Sequence, residues 1–144
     1  MGNWYCRRSG KFYTEQVDQI LALIKRTFKD TGIDIEKYLA VCEQLNQEPD
    51  PDKMPPSSDS FPIEVQEAFF LHNMLSDRWD GQSGFYMGKD FSAVDSYLKV
   101  YEISNPKQTL YFLKHIEQEH SSMLNEKVKQ RHEAEKRKLK NKKP

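Results

Sequence analysis

The chain has 144 residues, of which 37 % are hydrophobic and 31 % charged, and its 22 basic and 22 acidic side chains cancel. This composition predicts one small globular domain and excludes a wholly disordered chain. Cys6 and Cys42 form no disulfide framework, and no apolar run reaches the ~18 residues of a membrane span. We therefore expect a cytoplasmic protein without a signal peptide.

Two amphipathic helices are predicted in the first third of the chain. Apolar residues at spacings of three and four mark one face of the first helix: Val17, Ile20, Leu21, Ile24 and Phe28. Thr14 is the expected N-cap and Gly32 the expected stop. Asp34 is expected to cap the second helix, whose apolar stripe is Ile35, Tyr38, Leu39, Cys42 and Leu45.

Residues 46–60 interrupt the helical pattern with four prolines, three Asp and three Ser. Proline removes a backbone donor and biases the preceding residue away from helix. The segment is predicted to be an acidic linker or surface loop inside the domain. A segment that becomes ordered on a partner is the alternative.

Three further helices follow. Ser60 and Pro62 can open the third, whose shared face is Val65, Ala68, Phe69, His72 and Leu75. Phe70 and Met74 widen that face, which predicts a central helix. A fourth is expected over about residues 92–103, and Asn105 and Pro106 open a long fifth. The fold class predicted is all-α, with four to five helices.

The end of the chain is strongly basic. Residues 127–144 hold nine Lys or Arg against two Glu, about +7, so the rest of the chain carries about −7. A helix here has nothing to bury beyond Val128, so it should project, fray or be disordered. The predicted organisation is a helical domain over residues 1–126 and a basic tail over residues 127–144.

Positive charge without aromatic residues allows weak, sequence-independent contact of the tail with phosphates. A solvated end, or docking on an acidic protein surface, remains an alternative. The candidate nucleic-acid-binding residues are Lys127, Lys129, Arg131, Lys136, Arg137, Lys138 and Lys140.

Residues 76–90 contain three glycines among aromatic and charged residues. The spacing of Gly84 and Gly88 does not fit a phosphate-binding P-loop, and the acidic residues do not fit an EF-hand. The segment is interpreted as a lid over the helical core, as a recognition loop, or as both, since Trp, Tyr and Arg often dominate interface energies. The candidate partner-binding residues are Arg78, Trp79, Phe85, Tyr86, Lys89 and Asp90.

The histidines do not predict a metal site. Glu117 and His120 form one Glu-x-x-His pair, whereas a di-iron bundle needs a second pair. His72 is interpreted as a hydrogen-bonded residue on an apolar helix face. No catalytic residues, metal or cofactor are therefore predicted.

Two stretches resemble known proteins: Phe-Pro-Ile-Glu-Val-Gln-Glu-Ala-Phe at 61–69 and Gly-Phe-Tyr-Met-Gly-Lys-Asp-Phe at 84–91. Together, residues 61–103 resemble small helical proteins encoded by tailed bacteriophages, above all the large contractile-tailed phages of marine bacteria. The resemblance covers under a third of the chain and carries no catalytic motif. It implies a virus-encoded accessory or virion-assembly protein acting in a bacterial cytoplasm.

These features predict a non-enzymatic interaction or assembly factor, in which the 79–90 loop supplies specificity and the tail electrostatic attraction. The alternative is a nucleic-acid-associated accessory protein, such as a transcription or packaging factor. A third class is an enzyme that uses the same loop as a lid. Its candidates would be Trp79, Tyr86, Lys89 and Asp90, but no nucleophile–base pair supports it.

Overall fold

The chain divides after Pro62 into two units, Met1–Pro62 and Ile63–Pro144. The structure, a computed structural model, describes residues 10–29 and 35–142. This division differs from the expected one, which set residues 127–144 apart from residues 1–126. The basic segment instead continues the last helix of the second unit, and the proline-rich stretch ends the first unit.

In the first unit, α1 spans Gly10–Thr27 and α2 spans Ile35–Gln44. Ile24 is fully buried and Cys42 nearly so, as the apolar spacing predicts. The predicted start at Thr14 was wrong, because the helix begins four residues earlier. The expected stop at Gly32 and cap at Asp34 lie outside the described residues.

The end of α2 is fixed by Asn46, which has a left-handed φ of 49°. Its N–H donates to the carbonyl of Glu43, and the N–H of Gln47 donates to that of Cys42. This pair of bonds is the Schellman arrangement, and Asn tolerates the left-handed region better than most residues. Leu45 lies beyond the helix and is 61 % exposed, so its expected place in the buried stripe was wrong.

Two side chains of the first unit hold the 46–60 segment. The Tyr38 hydroxyl accepts the N–H of Asp50 at 2.9 Å. The Arg26 guanidinium donates to the carbonyls of Pro51 and, at 3.3 Å, of Met54. Two short 3₁₀ turns follow, at Pro51–Lys53 and Ser58–Ser60. The predicted surface loop is thus mostly exposed but tied to both helices of its unit.

The second unit contains α3 (Ile63–Met74), β1 (Asp77–Trp79), β2 (Tyr86–Lys89), α4 (Val94–Val100) and α5 (Pro106–Asn141). Its core lies between α3 and α5. Its described apolar side chains that are at most 1 % exposed are Val65, Ala68, Leu71, Phe112, Leu113 and Ile116. The fold is mostly helical, which confirms the predicted class in outline. No helix among the described residues has the length and apolar character to cross a membrane.

The two strands form an antiparallel hairpin where a loop was expected. Asp77 pairs with Lys89 and Arg78 with Gly88, but Trp79 then pairs with Tyr86. Met87 is consequently the extra residue of a bulge, and it is 57 % exposed. Strands of three and four residues interrupted by a bulge are too short to show the alternation that predicts a strand.

Helix α4 is shorter than the expected 92–103. Glu102 has a φ of 49°, and the N–H of Ile103 donates to the carbonyl of Leu98 at 3.1 Å. The left-handed residue ends the helix after Val100 with a second Schellman arrangement.

Helix α5 has 36 residues, about 54 Å at the usual rise per residue. Val128 is its last buried side chain. From Lys129 to Lys142 every side chain is exposed except that of His132, which is half-buried. The basic segment is therefore helical along its described length.

Candidate functional site

Three polar side chains of the second unit meet between α3, α5 and the hairpin. Glu117 and His120, three positions apart, share one face of α5, and His72 lies on the opposing face of α3. The His72 Nε2 and Glu117 Oε2 atoms are 2.8 Å apart. The rings of His72 and His120 meet edge to face with centroids 4.7 Å apart. We call these three residues the His-Glu-His cluster.

Glu117 is held by its second carboxylate oxygen. Oε1 accepts the backbone N–H of Lys89 at 3.1 Å and the Ser121 hydroxyl at 2.9 Å. The approach of the strand requires Gly88, because its φ is +99° and an added Cβ would lie 3.2 Å from Oε1. The carboxylate is thus fixed in orientation, with Oε2 toward His72.

A second network joins the hairpin to the cluster. The Tyr86 hydroxyl donates to Asp77 Oδ1 at 3.0 Å, and Lys89 Nζ lies 2.9 Å from the same oxygen. Lys89 Nζ also donates to the carbonyl of Leu75 at 3.1 Å. The Tyr86 ring contacts that of His120 with centroids 5.2 Å apart. The polar groups under the hairpin are therefore linked to one another.

This network changes the proton affinity of its members. Burial and the hydrogen bond with Asp77 raise the pKa of Tyr86 far above its ordinary value, so the phenol stays neutral. Burial acts to raise the pKa of Asp77, but hydrogen bonds from Lys89 and Tyr86 outweigh it and lower that pKa. Asp77 therefore remains an anion beside the Lys89 ammonium.

Asn125 attaches the hairpin to α5 through both groups of its amide. Its Oδ1 accepts the backbone N–H of Tyr86 at 2.8 Å, and its Nδ2 donates to the Tyr86 carbonyl at 3.1 Å. Farther along α5, the rings of Phe85 and His132 meet edge to face at 5.6 Å. The hairpin consequently lies along α5 up to the start of its basic segment.

The six candidate partner-binding residues divide into two groups. Tyr86 is 4 % exposed, and the Lys89 side chain 7 %, so both serve contacts within the unit. Arg78 is exposed, and Trp79 is 49 % exposed. Half-buried Phe85 and Asp90 lie at the two ends of β2. Recognition by Arg78, Trp79, Phe85 and Asp90 stays a prediction. Bulged Met87, which is not among the six candidates, joins them because it is exposed.

The candidate nucleic-acid-binding residues are exposed along the end of α5: Lys127, Lys129, Arg131, Lys136, Arg137, Lys138 and Lys140. At 100° per residue, most of the basic side chains after Val128 fall into two ridges on opposite sides of the helix. One ridge consists of Lys129, Lys136 and Lys140, and the other of Arg131, Lys138 and Lys142.

Sequence reasoning found parts of the site but not its assembly. The Glu117–His120 pair was visible from its spacing, and the expected hydrogen bond of His72 is confirmed by its contact with Glu117. Nothing in the sequence joined His72 to that pair across 45 positions. Asn125 gave no signal, because a lone Asn within a helical pattern is usually on the surface.

Comparisons with protein-family models, curated proteins and solved structures add no relative to this picture. None of the three finds a match. The site is therefore interpreted from its own geometry.

The lowered pKa values of His72 and His120 predict that the protein loses stability in weakly acidic solution. Burial lowers the pKa of His72 below its ordinary 6.5 despite the hydrogen bond with Glu117, and burial likewise lowers that of His120. The unfolded chain then binds more protons than the folded one as the pH falls below 6.5. The free energy of unfolding should be highest above that pH and decrease below it.

Urea unfolding of the chelator-treated protein at several values between about pH 8 and about pH 5 measures how steeply the free energy of unfolding depends on pH. Replacing His120 with Gln should make this pH dependence weaker. The lowered pKa of Asp77 affects the free energy of unfolding only below about its ordinary value of 3.8, so it does not contribute to the change between about pH 8 and about pH 5. A free energy that stays constant or rises toward pH 5 would contradict the assignment.

Proposed function

We propose that this protein is a non-enzymatic interaction or assembly factor that binds a protein partner with an acidic surface. The observation that carries the proposal is the attachment of the hairpin alongside the basic part of α5. Asn125 and His132 hold the hairpin, which carries the exposed side chains of Trp79 and Met87, against this cationic helix. Apolar anchors beside positive charge are suited to a partner that has an apolar pocket with an acidic rim.

The hairpin supplies specificity in this proposal. Trp and Met are enriched at the centres of protein interfaces, and a bulge that turns Met87 outward makes that side chain available. The contacts of Tyr86 with Asp77 and Asn125 hold the strand in place. A rigid support reduces the entropy lost when the exposed side chains bind.

The end of α5 supplies attraction. Its basic side chains are exposed on a helix, so a large positive field extends from the second unit into solvent. Such a field raises the rate of encounter with an acidic surface and is screened by salt. The resemblance of residues 61–103 to proteins of tailed bacteriophages supports an accessory or virion-assembly role in a bacterial cytoplasm.

A nucleic-acid-associated role is the second candidate. The tail lacks aromatic residues, but Trp79 lies on the hairpin that runs along the same helix. A base could stack on that exposed ring while the basic side chains contact phosphates. This arrangement would suit a transcription or packaging factor.

A pull-down from native host lysate, with and without nuclease, separates the two candidates. The bait proteins are the full chain, a version ending at Glu126, and the double variant Trp79→Ala, Met87→Ala. Val100→Ala is the matched control, because Val100 is an apolar side chain that is 73 % exposed elsewhere in the unit. Washes at low and high salt measure the electrostatic part of binding.

The protein-partner proposal expects one defined protein that resists nuclease, is lost with the double variant and is kept by the control. Tail removal should weaken its recovery at low salt more than at high salt. Recovery that nuclease abolishes would replace this proposal with the second candidate. Recovery indifferent to both the hairpin and the tail would contradict both.

A further inference from the structure

We propose that His72, Glu117 and His120 form a binding site for a divalent transition-metal cation, for which Zn²⁺ is the expected ion. The site is independent of the proposed partner binding, because it lies beneath the hairpin whereas the partner surface is the exposed side. One oxygen or nitrogen atom of each residue lies within 4.8 Å of those of the other two. No other group of His, Cys, Asp and Glu among the described residues meets this criterion.

The donor set suits zinc. Two imidazoles and one carboxylate are a set that binds Zn²⁺ in proteins, with a fourth position left for water or another ligand. Mg²⁺ and Ca²⁺ prefer oxygen ligands, so a site with two imidazole nitrogens discriminates against them. Two of the ligands come from one helix at a spacing of three, and the third comes from the helix packed against it.

Little rearrangement is needed to admit the ion. Ligand atoms at about 2.0–2.1 Å from a tetrahedral zinc ion lie about 3.3 Å from one another. His72 Nε2 and Glu117 Oε2, now 2.8 Å apart, would separate by about half an ångström. The widest pair of ligand atoms, at up to 4.8 Å, would close by up to about 1.5 Å, which rotation of the His120 ring can supply.

The surroundings orient the carboxylate ligand. Glu117 Oε1 is occupied by the N–H of Lys89 and the hydroxyl of Ser121, which leaves Oε2 on the side of the histidines. Outer contacts of this kind fix ligand orientation and contribute strongly to metal affinity. Gly88 is what allows the Lys89 N–H to come this close.

The Lys89 ammonium lies near the cluster, but it does not make the surroundings of the proposed cation positive overall. Lys89 Nζ is 2.9 Å from Asp77 Oδ1, so one anion accompanies that cation. Glu117 adds a further negative charge among the ligands. The side chains of His72 and Glu117 are 5 % and 12 % exposed, which limits competition from bulk water. The side chain of His120 is half-buried.

The test uses the full-length chain, stripped of metal with a chelator and dialysed. Calorimetric titration with Zn²⁺ should show one equivalent bound, and Co²⁺ should give a visible absorption band of a tetrahedral ion. Mg²⁺ should give no heat. Zinc should also raise the midpoint of thermal unfolding, because it binds the folded chain more tightly than the unfolded one.

Glu117→Gln and His120→Ala each remove one ligand and should lower zinc affinity by about 100-fold or more, since even outer contacts are worth about 10–100-fold. Ser121→Ala removes an outer contact and should lower it by about tenfold. His115→Ala is the matched control. This histidine lies on the same helix, outside the cluster, and its removal should leave affinity unchanged.

X-ray absorption of the zinc-loaded wild-type protein keeps the test decisive if a variant fails to fold. Nitrogen and oxygen scatterers at about 2.0–2.1 Å would support the site. A sulfur scatterer would overturn it, since the cluster contains no cysteine. Equal loss of affinity in His115→Ala and His120→Ala, or no binding by the wild type, would also overturn it.

Discussion

Replacing Leu113 with Ala is expected to lower the free energy of unfolding of the second unit by about 2–5 kcal/mol. Leu113 is fully buried on the face of α5 that packs against α3. Truncation removes apolar contact and leaves a cavity that rigid helices fill only in part. Urea unfolding followed by circular dichroism measures the difference.

The matched control is Leu139→Ala on the same helix. Leu139 is 67 % exposed, so the same chemical change there creates no cavity. Its effect on the free energy of unfolding should stay within about 0.5 kcal/mol. Similar losses at positions 113 and 139 would show that α5 is not packed as described.

Replacing Asn125 with Ala is expected to destabilise the hairpin by about 2–4 kcal/mol, because the Tyr86 N–H and carbonyl both lose their partner. Leaving these two backbone groups without a hydrogen-bond partner costs more free energy than the higher helix propensity of Ala contributes. Hydrogen exchange at the Tyr86 amide measures the effect locally. That amide should become far less protected while amides in the core of α3 change much less.

Asn73→Ala is the control, since Asn73 is an exposed helical residue and undergoes the same chemical change. It should leave the Tyr86 amide unchanged. Asn125→Asp tests the donor separately, because it keeps an acceptor for the Tyr86 N–H but removes the donor to the carbonyl. An intermediate loss is expected. Unchanged exchange in Asn125→Ala would contradict the attachment of the hairpin to α5.

The sequence predicted the helices well where periodicity is regular. Ile24, Val65 and Leu113 recur with their neighbours at spacings of three and four, and all three are buried. Boundaries were less accurate, because they depend on single residues in unusual conformations. Glu102 has a positive φ that its residue type does not suggest, and it ends α4 three residues earlier than expected.

The hairpin shows a different limit of sequence reasoning. Its strands are held by contacts with residues far along the chain, above all Tyr86 with Asn125 and Lys89 with Glu117. Local patterns carry no information on such contacts. The same holds for the His-Glu-His cluster, since helical spacing pairs Glu117 with His120 but cannot say which distant side chain faces them.

The two basic ridges of α5 have one further consequence, which concerns stoichiometry. Each ridge repeats the other two residues later, with Glu133 in the first and Glu135 in the second. An acidic chain that neutralises one ridge leaves the other facing away, across a helix about 10–12 Å wide with its side chains. If the tail binds acidic surfaces as proposed, a single copy should cross-link two of them. Light scattering should then rise at substoichiometric protein and fall again when the protein is in excess.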